Sequence, residues 1–200
     1  MSITAILSSP LVYDTWQYLA RGKRYAPLFV NDYIRARKGN RVLDIGCGTG
    51  VLLDYLPEVD YVGFDMSAHY IAACRKRYGA KGTFHQRELT ADTVADYGDF
   101  DIVVATGVLH HLDDGAAKNL CHMAREALRP GGRLITLDGC YVPGQSAVVR
   151  ALLDNDRGKY VRTEQAYREL ASITFGDVRS TILHDMFRMP YTVIIMECTA

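Results

Sequence analysis

Arg41-Val-Leu-Asp-Ile-Gly-Cys-Gly-Thr-Gly50, continuing as Val51-Leu-Leu-Asp-Tyr-Leu56, is the stretch that decides the fold. A short apolar run enters a glycine cluster, and the spacing beyond predicts a helix over 51–56. Glycines at a strand-to-helix turn permit tight geometry and close backbone approach to a ligand, and a helix N-terminus there offers unpaired N–H groups. Working outward, residues 61–64 form the next strand and end at Asp65. Ser67 then caps a helix with Tyr70, Ile71, Cys74 and Tyr78 on one face. Residues 82–86 make a brief third strand. Residues 100–105 make the fourth, and its continuous Ile102-Val-Val-Ala105 run suits a strand buried on both faces. Asp113 or Asp114 caps a helix carrying Leu120, Met123, Ala124, Ala127 and Leu128; Pro130-Gly-Gly132 stops it, and residues 133–137 are the fifth strand.

Strands alternating with helices imply parallel crossovers with helices on both faces of a sheet. The end of the chain breaks that rhythm. Helices are expected over 145–156 and 163–172, and two further strand-like runs, 177–184 and 191–198, are joined by a connection too short for a crossover helix, so the sheet should finish with an antiparallel strand. Ahead of the first strand, Ser9-Pro10 starts a helix with Leu11, Val12, Thr15, Trp16 and Leu19 at helical spacing, and Gly22 stops it. A second helix carries Tyr25, Phe29, Tyr33 and Ile34 and ends at Gly39-Asn40.

A chain of 200 residues predicts one domain, and 48% hydrophobic with 23% charged residues is the composition of a globular protein, which excludes disordered and fibrous classes. Equal numbers of basic and acidic side chains, 23 each, provide no overall basic field, so a nucleic-acid partner is not expected. The neutral sum hides an asymmetry: residues 1–41 hold seven basic side chains against Asp14 and Asp32, a net +5. That segment reads either as a solvated face or as a basic lid attracting an anionic small molecule. Five widely spaced cysteines without a C-x-x-C pair or histidines at ligand spacing predict reduced thiols and no zinc site. No secretory leader or membrane span is expected, which fits a cytoplasmic enzyme.

Open α/β sheets bind ligands at the carboxyl ends of their strands, and Asp65, 19 residues after Gly46, is placed to accept hydrogen bonds from a ribose diol. The loop and the acid together point to an adenosine-type ligand. The dinucleotide fingerprint G-x-G-x-x-G is not met, because the third glycine arrives one residue early and Val51 takes its place. The glycine loop alone is a weak signal, with a structural turn as its lesser reading.

Val42-Leu-Asp-Ile-Gly-Cys-Gly-Thr-Gly50 resembles motif I of the class I S-adenosylmethionine-dependent methyltransferases. Three further motifs follow in order. Val62-Gly-Phe-Asp-Met-Ser67 resembles the family's acidic ribose motif, Phe100-Asp-Ile-Val-Val-Ala105 with Val108-Leu-His-His-Leu112 resembles the fourth-strand motif, and Leu128-Arg-Pro-Gly-Gly-Arg-Leu134 resembles the loop before strand five. The resemblance covers about residues 41–138. It implies an α/β, Rossmann-like doubly wound sheet of seven strands, mostly parallel with an antiparallel C-terminal strand and helices on both faces. A single methyltransferase domain would then comprise an N-terminal helical cap (1–40), a cofactor-binding core (41–138), and acceptor-side cap helices with a final hairpin (139–200).

The resemblance also assigns roles. Asp44 and the Gly46 backbone would hold the methionine amino group of S-adenosyl-L-methionine, with Cys47 in the loop between them and Gly48. Gly48 and Gly50 would leave room for the cofactor, Asp65 would bind the ribose, and Met66 would pack on the adenine. The family's usual Gly-Asp pair after strand three is replaced here by Gln86-Arg-Glu-Leu89, so Glu88, beside Leu89, becomes the implied adenine reader; Thr106, ending strand four, completes the set. S-adenosyl-L-homocysteine would be the product.

Methyl transfer from a sulfonium is an in-line displacement served mainly by positioning and exclusion of water. If the acceptor is a hydroxyl, a general base also helps, and histidine is the residue type that supplies one near neutrality. His111, then His110, are the candidates, and either could instead cap the turn they occupy. Thr106-Gly-Val-Leu109 replaces the Asn-Pro-Pro-Tyr motif that amino- and base-methylating members often carry, which points toward oxygen. Asp113, Asp114 and Asp138 could meet an ion, with capping the simpler role for the first two, and no metal is expected. His184, Asp185, Arg188 and Tyr191 lie between the last strands, where they either line an acceptor pocket or pack the hairpin. Tyr13 and Trp16 either cover the cofactor or belong to the core. Arg150, Arg157, Lys159, Tyr160 and Arg162 furnish a modest cap favouring a small, anionic acceptor over a macromolecule, in a monomer or homodimer. Two readings of other classes remain: a non-catalytic regulator that keeps the cofactor cleft, and an NAD-dependent oxidoreductase.

Overall fold

The computed structural model describes residues 25–200. The expected helix from Ser9-Pro10, with Tyr13 and Trp16, lies outside them, as do Arg21, Lys23 and Arg24. The sheet contains β1 (Arg41–Ile45), β2 (Asp60–Asp65), β3 (Thr83–Gln86), β4 (Phe100–Thr106), β5 (Leu128–Tyr141), β7 (Asp177–Leu183) and β8 (Val193–Thr199), while the two-residue β6 (Arg162–Thr163) pairs with the end of β5. The order β3-β2-β1-β4-β5-β8-β7 turns back between β1 and β4, which opens a crevice at their carboxyl ends. β1 pairs in parallel with β2 and β4, β4 with β5, and β8 runs antiparallel between β5 and β7. The expected doubly wound architecture and antiparallel C-terminal strand are both present.

Alternation along the strands sends side chains into two cores. Val42, Ile102, Val104, Ile135 and Ile195 pack toward α1 (Tyr25–Leu28) and α2 (Ala68–Tyr78). Leu43, Val103, Ala105, Leu134 and Ile194 pack toward α4 (Asp114–Ala127) and α6 (Glu164–Ser172). Here α3 is Ala91–Tyr97 and α5 is Ala147–Asp154. Burial on both faces explains why β4 reads as an unbroken apolar run.

Capping chemistry sets several helix starts. Ser67 accepts from the Tyr70 N–H, Asp113 from Ala116, Ser146 from Val149 and Thr163 from Ala166. Three local expectations are corrected. The helix over 51–56 is only a 3-10 turn, Val51–Asp54, closed by buried Leu52 and Leu53 and followed by Pro57, so no extended helix N-terminus faces the glycine loop. The helix before β1 passes into a π turn over Phe29–Ile34 and ends there, because Arg35 adopts the left-handed region at φ 49° and its N–H returns to the Val30 carbonyl. The fifth strand is longer than expected, since Pro130-Gly-Gly132 forms an irregularity within β5 rather than a break before it: Phe100 pairs with Leu128, Ile102 with Arg133. α3 was not anticipated; it is seven residues long, and its one sequence signal is the Thr90 cap accepting from the Thr93 N–H.

Candidate active site

The glycine loop leaves β1 with Gly46, Gly48 and Gly50 all at left-handed φ of 71°, 56° and 71°. At Gly46 a side chain is excluded twice over, because a Cβ would also lie 2.7 Å from Val108 Cγ2 on the segment after β4. That contact brings the β1 and β4 loops together at the crevice. Asp65 braces the loop: one carboxylate oxygen accepts the Gly48 N–H at 2.9 Å and the other the Ser67 N–H at 2.7 Å. The acid picked out for ribose binding thus also fixes the loop it faces.

Asp44 is buried on β1. Tyr61 donates to its Oδ2 at 2.6 Å, while Oδ1 has no hydrogen-bond partner. Burial pushes its carboxyl up to about 7, against the opposing Tyr61 hydrogen bond. A buried carboxylate with one orphaned oxygen beside a glycine loop suits a cationic donor, as a methionine amino group is. Cys47 packs toward β2, where a Cβ on Gly63 would meet its Sγ at 2.9 Å, and the adjacent Cys74 thiol and burial raise its own ionisation far above the ordinary thiol range. It is a filler and not a nucleophile. Thr106 Oγ1 is buried without a partner at the end of β4; Met66 is 69% exposed, Glu88 is exposed and Leu89 is buried.

The two histidines differ sharply. His110 is buried, and Asp138 Oδ1 accepts from both its backbone N–H (3.1 Å) and its Nδ1 (2.8 Å). Its Nε2 lies 3.3 Å from Asp156 Oδ1, and Asp156 also accepts from the Gly158 N–H and, at 2.7 Å, from the Tyr191 hydroxyl. Burial disfavours charge on His110, but the two aspartates prevail and raise it to about 9. Asp156 is held below the usual carboxylate range by His110, Gly158 and Tyr191, which together outweigh its own burial. His111 is solvent-exposed as a residue, with its ring 4.3 Å from the His110 ring; shielding of the ring and the His110 charge both lower its proton affinity. Of the pair, His111 carries the free lone pair at neutral pH.

Arg162 holds this turn in place. Its guanidinium donates to the carbonyls of Leu109, Tyr160 and Leu112 at 2.7–2.9 Å and to Asp114 Oδ1 at 2.8 Å. This corrects the expectation that it joins a cationic cap: it is buried and fully engaged. Asp113 caps α4 and Asp114 pairs with Arg162, so neither is arranged to meet an ion. Arg150 lies over the Tyr141 ring and pairs with Asp154, while Arg157, Lys159 and Arg188 are exposed. His184 meets Thr192 within the hairpin and only Tyr191 of that group reaches the site. Sequence reading missed Asp156, which carries no motif and becomes visible only when the chain folds back over β4 and β5.

Gly158 is as constrained as Gly46. A Cβ there would fall 1.9 Å from His110 Cδ2 and 2.6 Å from the His110 carbonyl oxygen, a backbone atom that cannot step aside cheaply. Gly158→Ala is expected to lower stability in urea denaturation by about 1–3 kcal/mol, the range for overpacked interiors. A change within experimental error would show that the 155–160 segment does not rest on His110.

Residues 43–134 match the methyltransferase domain family. The ubiquinone biosynthesis O-methyltransferase of Chelativorans sp. is 33% identical over 149 residues, covering 68% of this chain and 58% of that protein. Phosphoethanolamine N-methyltransferase 3 of Arabidopsis thaliana is 30% identical over 145 residues, covering 70% of this chain and 29% of that protein. Among solved structures, Haemonchus contortus phosphoethanolamine N-methyltransferase 2, in complex with phosphomonomethylethanolamine and S-adenosylhomocysteine, superimposes with a TM-score of 0.72 at 15% identity, covering 100% of this chain and 60% of that one. The chain spans only part of the length of these relatives. Among the described residues no helix is long and apolar enough to cross a membrane. Residues 43–134 thus carry a methyltransferase domain, and the four motifs in register and the strand order around it are those of the class I S-adenosylmethionine-dependent methyltransferases.

Proposed function

We propose that this protein transfers the methyl group of S-adenosyl-L-methionine to a hydroxyl oxygen of a small-molecule acceptor, releasing S-adenosyl-L-homocysteine. The observation that carries the reading is Asp44, whose buried, unpartnered Oδ1 beside the Asp65-braced glycine loop calls for a cationic donor. Asp44 and the Gly46 backbone would hold the methionine end, Gly48 and Gly50 give the cofactor clearance, and Asp65 would take the ribose. Met66, Glu88 and Leu89 would bound the adenine, with Thr106 at the mouth of β4. The cofactor supplies an electrophilic methyl on a sulfonium; the chain binds, orients and excludes water. His111 accepts the acceptor's proton, which its lowered proton affinity permits at neutral pH.

Oxygen is favoured over nitrogen because Thr106-Gly-Val-Leu109 stands after β4 and a neutral histidine follows it. A small acceptor is favoured because two of the relatives are named for phosphoethanolamine and for ubiquinone biosynthesis. The exposed Arg157, Lys159 and Arg188 would suit an anionic one. No nucleic-acid or membrane partner is part of this reading, and a cytoplasmic monomer or homodimer suffices for it.

The test is to incubate the protein with methyl-labelled S-adenosylmethionine and separate small-metabolite and macromolecular fractions of a bacterial extract. Label entering the metabolite fraction, and lost in Asp65→Ala, is the expected result. Cofactor binding with no transfer to any fraction would favour a non-catalytic regulator.

A further inference from the structure

We propose that His110, His111 and Asp156 form a binding site for one divalent transition-metal ion of the zinc class, on the acceptor side of β4. Each residue offers one ligand atom, and the three atoms lie within 4.8 Å of one another. Two imidazoles and a carboxylate are the donor set of open, three-ligand zinc sites. Metal–ligand bonds of about 2.0–2.1 Å at a tetrahedral angle place two ligand atoms roughly 3.4 Å apart. His110 Nε2 and Asp156 Oδ1 are 3.3 Å apart, close to that spacing, so an ion could replace the ion pair they make without moving either far.

The surroundings are those of a ligand set held in advance. A carboxylate only accepts, so the 2.8 Å contact with Asp138 requires a proton on His110 Nδ1 and turns Nε2 toward Asp156, where the ion would displace the imidazolium's second proton into solvent. That arrangement of carboxylate, imidazole and ion orients histidine ligands in metal sites generally. Asp156 is fixed in turn by the Gly158 N–H and the Tyr191 hydroxyl. Two aspartates around His110 supply the negative charge that a divalent ion would balance. Arg162, by gripping the carbonyls on either side of the two histidines, holds both rings on the same turn.

The ion would engage the His111 imidazole that the proposed function uses for the acceptor proton. Only this consequence, that metal occupancy inhibits hydroxyl-directed transfer, rests on that reading; binding itself does not.

The test is calorimetric titration of the chelator-treated full chain with zinc, repeated with cobalt while recording its visible spectrum, in wild type, His111→Ala and Asp156→Asn. His111 is exposed, so its substitution tests the site without disturbing the core, and Asp156→Asn keeps the shape of the side chain. One ion per chain, intense tetrahedral-type cobalt bands, and at least tenfold weaker binding in each variant are expected. Absence of binding to wild type, or binding that survives both substitutions, overturns the proposal. Neither cofactor nor acceptor is present, so that failure would leave the methyl-transfer reading standing.

Discussion

Arg162→Ala is expected to destabilise the protein by about 3–5 kcal/mol. Its guanidinium serves three main-chain carbonyls and Asp114 at once, and its loss strands the oxygens of Leu109, Leu112 and Tyr160 around a buried position. Asp114 is 71% exposed, so the ion pair contributes little and the carbonyl contacts dominate. Arg162→Lys should recover only a minor part, because a point charge cannot fork to acceptors in several directions. Urea denaturation with an unchanged slope would measure both. A loss below about 1 kcal/mol in the alanine variant would show that water replaces the clamp and that the histidine turn is held by other contacts.

Asp44→Asn is expected to separate stability from cofactor binding. The folded-state ionisation of Asp44 sits at about 7, above the ordinary carboxyl range, so the folded chain binds the proton more tightly than the unfolded chain. The sign follows: this contribution to stability is present at low pH and is lost as pH rises from about 4 to about 7. At about 1.4 kcal/mol per tenfold, the full loss is about 4 kcal/mol. The amide removes the titration and keeps an acceptor for the Tyr61 hydroxyl, so the cofactor-free variant should be more stable than wild type at pH 8 and nearly equal to it at pH 4. S-adenosylmethionine should bind the variant about 10–100-fold more weakly, the worth of a hydrogen bond to a charged group. Wild-type affinity should rise with pH through about 7 and that of the variant should not. Equal affinity in both proteins would remove Asp44 from the cofactor site.

Much of this was legible in the sequence because the signals were local. The β4 run Ile102-Val-Val-Ala105 reads as a strand covered on both faces and is one, Ser67 caps the helix it was expected to cap, and of the two aspartates offered for the next helix Asp113 is the cap. The turn after Gly50 was misread because Val51, Leu52 and Leu53 look helical, although Pro57 leaves room for one 3-10 turn. The Arg129–Gly132 segment was misread for the opposite reason: its proline and glycines look like a stop, but the pairing with β4 that begins at Leu128 with Phe100 resumes beyond it at Arg133 with Ile102. The residues proposed for the cofactor lie close together in sequence, so their placement around one loop could be anticipated from spacing. The histidine cluster joins residues 110, 138, 156 and 191, contacts that no spacing rule encodes. Arg162 likewise read as a surface cation until its partners were visible.

The central claim is that the glycine loop, Asp44 and Asp65 form a site for S-adenosylmethionine. Calorimetric titration with S-adenosyl-L-homocysteine, which cannot react, tests it most directly, run beside NAD on wild type and Asp65→Ala. Saturable binding of one S-adenosyl-L-homocysteine per chain, lost or weakened at least tenfold in Asp65→Ala, with no heat from NAD, is the result this account predicts. No binding of S-adenosyl-L-homocysteine, or saturable binding of NAD in its place, would contradict it.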